Sequence, residues 1–243
     1  LISKLSGAKF TIGFYKADFS FLYKKIVPYI SSNHEVQGNL ALIMENSDDK
    51  NGKELPRLKI PVEVREKVFS FLANLTDKKI IAIAPGSVWK TKIYPRENFI
   101  LLIKSLLKNN YFVMLIGGNE DNEICTSIEN EFGKDVKSAA GNFSVIESVE
   151  LLKKCDALIS NDSAPTHLGM IADIPVLTIF CSTIPEFGFY PYNERSKYIS
   201  LEGLDCKPCG IHGHQICPIK TFICGKNLTD EAVFNKLEEI LSA

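Results

Sequence analysis

The feature that most limits the possible folds is the alternation of short apolar runs with amphipathic segments between residues 76 and 228. The apolar runs have the length of strands buried on both faces of a sheet, and they lie at residues 80–84, 111–116, 157–160 and 176–180, with a shorter candidate at 136–138. Segments with apolar residues at helical spacing separate them, at residues 98–107, 122–132, 145–153 and 165–171. This alternation predicts a doubly wound α/β domain, a parallel sheet with helices on both faces.

The first 60 residues have a different pattern. They contain a predicted strand at residues 10–14, a predicted short helix at 39–44 and a polar stretch at 45–59 that is typical of a linker. A helix predicted at 61–75 begins the alternating region, and a helix predicted at 229–241 closes it, with Thr229 as its N-cap. We therefore predict two domains: residues 1–60 as part of a first domain with its linker, and residues 61–243 as the second domain.

Composition and charge restrict the function further. The chain has 243 residues, 45% of them hydrophobic, which is enough to bury a core without disulfides or metals. The balance of 28 Lys and Arg against 29 Asp and Glu argues against a nucleic-acid partner. No apolar run approaches the roughly 20 residues that span a bilayer, and no signal-peptide pattern opens the chain. We expect a cytoplasmic protein without a transmembrane segment.

Polar loops follow three of the predicted strands, at the edge where parallel sheets bind ligands. After the strand at 80–84, a Pro85-Gly86-Ser87 turn leads to Lys92, and this combination offers backbone amides, a hydroxyl and a positive charge to an anion. The alternative is an ordinary loop with incidental lysines. After the strand at 111–116, a Gly-Gly turn precedes Glu120 and Asp121, which could accept hydrogen bonds from a ribose or could simply cap the next helix.

The third loop, residues 160–167, carries the most information. A buried strand ends in Asn161, Asp162 and Ser163, and a helix with Pro165 and His167 in its first turns follows at once. The amides at the start of such a helix would face a phosphate. The alternative is that Asp162 or Ser163 acts only as an N-cap, with His167 packed inside. Because the Walker and GxGxxG patterns are both absent, we expect a phosphate-bearing ligand outside the P-loop and dinucleotide-binding classes.

The same loops carry a resemblance to a known family. The stretches at residues 85–99, 117–121 and 161–168 resemble the signature of glycosyltransferase family 9, the bacterial lipopolysaccharide heptosyltransferases. Residues 175–176 and 180–183 also fit, and residues 5–9 and 12–14 resemble the end of the first domain of that family. The resemblance therefore spans nearly the whole chain.

This resemblance implies a GT-B architecture, with two Rossmann-like domains and an active site between them. It implies an inverting transfer of heptose from ADP-heptose to a lipid A–Kdo core acceptor at the inner membrane surface, with no cofactor. By matching motif positions, Ser87 and Lys92 would contact the donor phosphates or the heptose, and Glu120 would hold the ribose. The pyrophosphate and sugar would be bound by Asp162, Ser163, Ala164 and His167.

Two departures from the family pattern are visible. The chain begins at Leu1, and the family places its glycine-rich opening loop and its acidic catalytic residue before this point, so we expect a truncated enzyme that could be inactive as this fragment. In addition, Gly38 stands where the family usually has an Arg that contacts acceptor phosphates. The alternatives are a nucleotide-sugar-binding fragment without catalysis, or a GT-B enzyme with another donor.

Seven cysteines are present, four of them clustered in the sequence. Tetrahedral zinc bound by four thiolates is one interpretation of the cluster, although the spacing is not that of a standard finger. Free thiols in a loop or a local disulfide are the alternatives, and we predict no metal. Cys125, Cys155 and Cys181 are expected to be small core residues. The clustered residues are Cys206, Cys209, Cys217 and Cys224.

Overall fold

A computed structural model describes residues 2–44, 54–73 and 75–242. The chain divides into two compact units: one comprises Leu1–Glu54 with Glu186–Phe189, and the other comprises Leu55–Pro185 with Tyr190–Ala243. The predicted linker at residues 45–59 lies mostly outside the described residues, and residues 54–59 have no regular secondary structure.

The first unit contains helix α1 (Ile2–Leu5), strand β1 (Ile12–Phe14), strand β2 (Lys25–Val27) and helix α2 (Glu35–Ala41). The two strands pair in parallel, with Gly13 opposite Ile26. Helix α2 begins four residues before the predicted helix at 39–44, because His34 and Gln37 form a capping box. His34 Nδ1 accepts the N–H of Val36 at 3.1 Å, and Gln37 Oε1 accepts the N–H of His34 at 2.9 Å.

The second unit is built on a six-stranded sheet in which all neighbours are parallel, in the order β5-β4-β3-β6-β7-β8. Its strands are β3 (Ile80–Ala84), β4 (Phe112–Leu115), β5 (Val136–Ser138), β6 (Ala157–Asn161), β7 (Val176–Phe180) and β8 (Lys197–Ser200). Strands β3 and β6 are neighbours in the sheet; β4 and β5 follow on the side of β3, and β7 and β8 follow on the side of β6. Their carboxyl ends therefore border the crevice where such sheets bind ligands.

Helices cover both faces of this sheet. They are α3 (Val62–Leu72), α4 (Arg96–Lys108), α5 (Asn122–Phe132), α6 (Val145–Leu152), α7 (Ala164–Ala172), α8 (Ile223–Lys226) and α9 (Asp230–Leu241). Because side chains alternate along a strand, Ile81 and Ile83 pack with α4, α5 and α9, whereas Ala82 and Ala84 pack with α3, α6 and α7. The sequence thus correctly predicted a parallel sheet covered on both faces.

Among the labelled elements of the described residues, four were not predicted: helix α1, strand β2, strand β8 and helix α8. Each has only three or four residues, and neither strand is an uninterrupted buried apolar run. Pro61 lies at the N-cap of α3, one residue before the helix that it was expected to begin. Within the described ranges, no helix is both long enough and apolar enough to cross a membrane.

Candidate functional site

A cleft of 720 Å³ opens at the carboxyl edge of the six-stranded sheet, where the loops after β3, β4 and β6 meet. It lies entirely within the second unit. Of the seven residues that the sequence motifs single out, four line this cleft: Ser87, Glu120, Ser163 and Ala164. The remaining three, Lys92, Asp162 and His167, form a group adjacent to it.

The loop after β3 is held in place by Asn161, at the end of β6. Asn161 is fully buried; its Oδ1 accepts the N–H of Tyr94 at 2.9 Å, and its Nδ2 donates to the carbonyls of Pro85 at 2.9 Å and Gly86 at 3.2 Å. One side chain therefore fixes both ends of the loop that carries Ser87 and Lys92. Sequence reasoning did not include Asn161 among the site residues, although an amide that ends a buried apolar strand was a usable signal.

Lys92 and Asp162 form a nearly buried ion pair. Their Nζ and Oδ2 atoms are 2.6 Å apart, and the side chains are only 13% and 8% exposed. The hydroxyl of Thr183 donates to the same Asp162 oxygen at 2.7 Å. An ion pair in such surroundings depends on additional hydrogen bonds to offset its desolvation, and Thr183 supplies one of them.

His167 lies near enough to this ion pair to be affected by both charges. Burial lowers the pKa of His167 below its ordinary value, the carboxylate of Asp162 raises it, and the ammonium of Lys92 lowers it. The imidazole is therefore neutral at pH 7, where it can both donate and accept a hydrogen bond.

The loop after β4 uses its two acids in different ways. Asp121 Oδ2 accepts the N–H of Gly118 at 3.0 Å, so Asp121 is the capping acid of the turn. Burial raises the pKa of Asp121, the bond from Gly118 lowers it, and the nearby charge of Glu120 raises it. Glu120 is exposed and lines the cleft. A Cβ on Gly86 would lie 1.8 Å from Asp121 Oδ1, so the loops after β3 and β4 touch at a position that only glycine fits.

Helix α7 begins at the cleft. Ser163 occupies its N-cap position, but its side chain does not accept a hydrogen bond from the helix; its Oγ donates to the carbonyl of Asn161 at 3.3 Å. The predicted alternative of an ordinary serine cap is therefore wrong for Ser163. Asp162 is engaged with Lys92 and Thr183 instead.

One end of the cleft is apolar, lined by Ile116, Ile124, Phe143, Val145 and Leu168. The ring of Phe143 meets that of Phe71 edge to face, with centroids 5.0 Å apart. Lys67 of α3 donates to the carbonyl of Asn142 at 3.1 Å and to Glu147 at 3.0 Å, which fixes the loop that carries Phe143. Sequence reasoning missed this surface, because an aromatic residue in a polar loop gives no periodic signal.

The cysteine-rich segment gives no support to a metal site. All seven cysteines are free thiols, and within residues 2–44, 54–73 and 75–242 no three His, Cys, Asp or Glu side chains are arranged to hold a metal. Burial raises the pKa of Cys224 to about 11. Burial also raises the pKa of Cys217, but backbone N–H groups of residues 219–222 outweigh this effect and hold it below its ordinary value. Cys125, Cys155 and Cys181 are buried, as predicted.

Comparison with known proteins identifies the family. A sequence model of glycosyltransferase family 9 (heptosyltransferase) matches residues 1–217, which is most of the chain. The chain belongs to glycosyltransferase family 9. Lipooligosaccharide heptosyltransferase 2 of Campylobacter jejuni is 26% identical over 188 residues, which cover 76% of this family 9 chain and 57% of that protein.

Two solved structures show the same fold. E. coli ADP-heptose lps heptosyltransferase II superposes with a TM-score of 0.75 at 20% identity, over 98% of this chain and 71% of that one. A family 9 glycosyl transferase from Veillonella parvula superposes with a TM-score of 0.78 at 20% identity, over 97% and 68%. This family 9 chain spans about half the length of the curated relatives that it matches.

Proposed function

We propose that the chain carries the donor-binding part of an inverting heptosyltransferase of lipopolysaccharide core synthesis, with ADP-heptose as donor and a GT-B architecture. Membership of family 9 and the heptosyltransferase relatives support this proposal. The observation that carries it is the cleft at the switch point of the sheet, which combines an apolar end with loops suited to phosphates and a sugar.

Each part of the donor has a matching surface. The base would lie against Phe143, Ile124 and Leu168 at the apolar end, and the ribose hydroxyls would donate to Glu120. Ser87 and the first amides of α7 would bind the pyrophosphate, together with Ser163 and Ala164. Lys92 would face the pyrophosphate, and the heptose would lie beside Asp162 and His167, where a carboxylate and a neutral imidazole can accept hydrogen bonds from its hydroxyls.

The main task of these residues during sugar transfer is to stabilise the departing diphosphate. As the glycosidic bond breaks, negative charge develops on the departing diphosphate, and fixed donors that face this charge lower the barrier. Lys92 supplies a positive charge at the site, and α7 supplies the amides and dipole of its N-terminus. We assign no catalytic base to any position of this chain.

The acceptor in this proposal is the Kdo or heptose end of a lipid A–Kdo core. Such an acceptor is anchored in the inner membrane, so the enzyme would work in the cytoplasm at the membrane surface. The absence of a spanning helix among the described residues is compatible with a peripheral location.

Calorimetry against ADP, GDP, UDP and ADP-heptose tests the donor site directly. We expect ADP and ADP-heptose to bind, and Lys92→Ala to weaken both by about 1.5–3 kcal/mol, the range for charge-assisted hydrogen bonds. Lys90→Ala is the matched control, because Lys90 is an exposed lysine two residues away that takes no part in the ion pair between Lys92 and Asp162. Absence of heat with every nucleotide, or equal effects of the two variants, would overturn the proposal.

A further inference from the structure

Part of the cysteine-rich segment lies across the loop that carries Lys92. We call residues 209–215 the strap. The N–H of Cys209 donates to the carbonyl of Ser182 at 2.9 Å, and Gln215 Nε2 donates to the carbonyl of Val88 at 2.9 Å. The imidazole of His212 stacks on Trp89 at 6.2 Å with an interplanar angle of 22°. The strap is thus attached to the end of β7 on one side and to the loop after β3 on the other.

Thr91 lies at the centre of these contacts. Its side chain is buried, and its Oγ1 accepts the N–H of His214 at 2.8 Å and the hydroxyl of Ser182 at 3.0 Å. The N–H of Thr91 donates to the carbonyl of His214 at 3.0 Å. Three hydrogen bonds therefore join this one residue to the strap and to the segment after β7.

These contacts lead directly to the ion pair. Thr91 immediately precedes Lys92, and Ser182 immediately precedes Thr183, whose hydroxyl is bonded to Asp162. The bond between Thr91 and Ser182 therefore fixes the backbone that carries Lys92 relative to the segment that orients its partner carboxylate. A shift of Thr91 would move the ammonium relative to Asp162.

We propose that Thr91 is a positioning residue of the donor site, through which the strap holds Lys92 in its binding position. The inference rests on the proposed function, because it assigns Lys92 to the donor. It gives the segment around the clustered cysteines a role that needs no metal: the segment is a brace for the phosphate-binding loop. Neither Thr91 nor the strap lines the cleft.

The first test uses Thr91→Val, which keeps the shape of the side chain and removes the oxygen that accepts two hydrogen bonds. We expect the Kd for ADP to rise about three- to tenfold, the usual worth of one or two hydrogen bonds. Thr91→Ser keeps the oxygen and should restore wild-type affinity. In a Lys92→Ala background, Thr91→Val should have no further effect on Kd, because it acts through Lys92.

The second test uses a matched pair of glycines. Gly213 in the strap has a φ of +77°, and a Cβ there would lie 3.0 Å from both Ser182 Oγ and Thr91 Oγ1. Gly203 has a φ of +75° with no atom within 4 Å of such a Cβ. Alanine at either position carries a similar backbone penalty, and Gly213→Ala adds the close contact with the two hydroxyls, so both variants should lose Tm and Gly213→Ala should lose more. Only Gly213→Ala should also raise the Kd for ADP.

The outcomes separate this inference from the proposed function. If Lys92→Ala does not weaken ADP binding, the proposed donor site is wrong. If Lys92→Ala weakens binding while Thr91→Val and Gly213→Ala lower only the Tm, the donor site stands and the positioning role of Thr91 is wrong. Additive effects of Thr91→Val and Lys92→Ala on Kd would likewise overturn it, since independent contributions show no coupling.

Discussion

Asn161 shows how much of a site one side chain can organise at the scale of single residues. Its amide bonds one backbone N–H and two carbonyls of the loop after β3; the bonds to Tyr94 and Pro85 are buried, and the bond to Gly86 is partly buried. An amide is the one neutral group of this size that can accept and donate at once, so no apolar or acidic replacement satisfies the same partners.

We expect Asn161→Ala to lower the free energy of unfolding by about 2–4 kcal/mol, because it leaves a buried N–H and buried carbonyls without partners. The Kd for ADP should rise as well, since the freed loop carries Ser87 and Lys92. Denaturant unfolding and calorimetry on the same preparation measure both effects. Asn109→Ala at the exposed end of α4 is the control and should stay within about 0.5 kcal/mol of wild type. Equal losses in the two variants would contradict the role of Asn161.

Asp121 gives a prediction on pH. Burial is the main reason that its folded-state pKa is raised. At a pH just above the ordinary carboxyl pKa, Asp121 therefore still holds a proton in the folded protein but has lost it in the unfolded chain. The free energy of unfolding therefore falls as pH rises through this window. Asp121→Asn keeps an oxygen for the Gly118 N–H and removes the charge. Its stability relative to wild type should increase between pH 4 and pH 7 in denaturant titrations.

Asp135 supplies a control with the opposite sign. Its pKa is lowered, mainly by a hydrogen bond from Lys78 at 2.8 Å. This carboxylate stabilises the fold above its unfolded pKa, and the contribution is lost as pH falls. Asp135→Asn should therefore become less stable relative to wild type as pH rises from about 2 to about 5, and the difference should stay nearly constant from there to pH 7. The same trend in both variants would show that burial does not control the titration of Asp121.

Sequence reasoning identified most residues of the candidate site but not their arrangement. The motif positions located Ser87, Glu120 and Ser163, which the structure brings to one cleft. They did not indicate that Lys92 would pair with Asp162, because the two are 70 positions apart and only the register of β3 beside β6 brings them together. The resemblance assigned the ribose to Glu120, but the residues alone left Glu120 and Asp121 as equal candidates, because their roles depend on which side chain folds back onto the turn.

At the scale of elements, packing against the sheet decides whether a helical glycine can be replaced by a larger residue. Gly169 of α7 faces strands β6 and β7, and a Cβ there would lie 2.4 Å from Val176 Cγ2 and 3.1 Å from Leu158 Cδ2. Gly38 of α2 has no atom within 4 Å of the same position. The two helical glycines therefore differ in surroundings and share the same intrinsic propensity.

Gly169→Ala should destabilise the protein by about 1–3 kcal/mol, because overpacking outweighs the better helix propensity of alanine. Gly38→Ala should instead stabilise its helix by about 0.5–1 kcal/mol. Denaturant unfolding measures the first effect, and amide hydrogen exchange within α2 measures the second. If Gly169→Ala were neutral, the close approach of α7 to the sheet would be wrong.

Strongly patterned elements could be predicted from the sequence, and most of the short ones could not. The bounds predicted for β3, α5, β7 and α9 agree with the structure, because each has a clear apolar pattern or a capping signal. The three-residue strand β5 was also predicted with its bounds, although it has no such pattern. Strand β8 follows a polar stretch, its first two residues are exposed and its last two are only partly buried, so its formation depends on pairing with β7. Tertiary pairing of this kind leaves no local pattern in the sequence.

At the scale of the whole molecule, the two units have very different cores. Among the described residues of the first unit, Val27 is the one buried apolar side chain, whereas two extensive apolar clusters flank the sheet of the second unit. A two-stranded sheet is marginal by itself, and a six-stranded sheet packed on both faces is not. Local stability should therefore be uneven along the chain.

Amide hydrogen exchange should show the difference in local stability between the two units directly. Amides of β1 and β2 should exchange through low-energy local openings, and those of β3 and β6 only through opening of the second unit as a whole. ADP at a hundred times its Kd should add about 2.7 kcal/mol to the opening free energy of β3 and β6, because ligand binding to the folded state stabilises it by mass action. The loops at residues 85–92 and 117–121 should gain protection at the same ADP concentration. Protection of the same loops with GDP or UDP is the control for base recognition. Equal protection of β1 and β3 without ligand would contradict the uneven distribution of stability. If ADP did not protect the loops after β3 and β4, the nucleotide would not bind at this edge of the sheet.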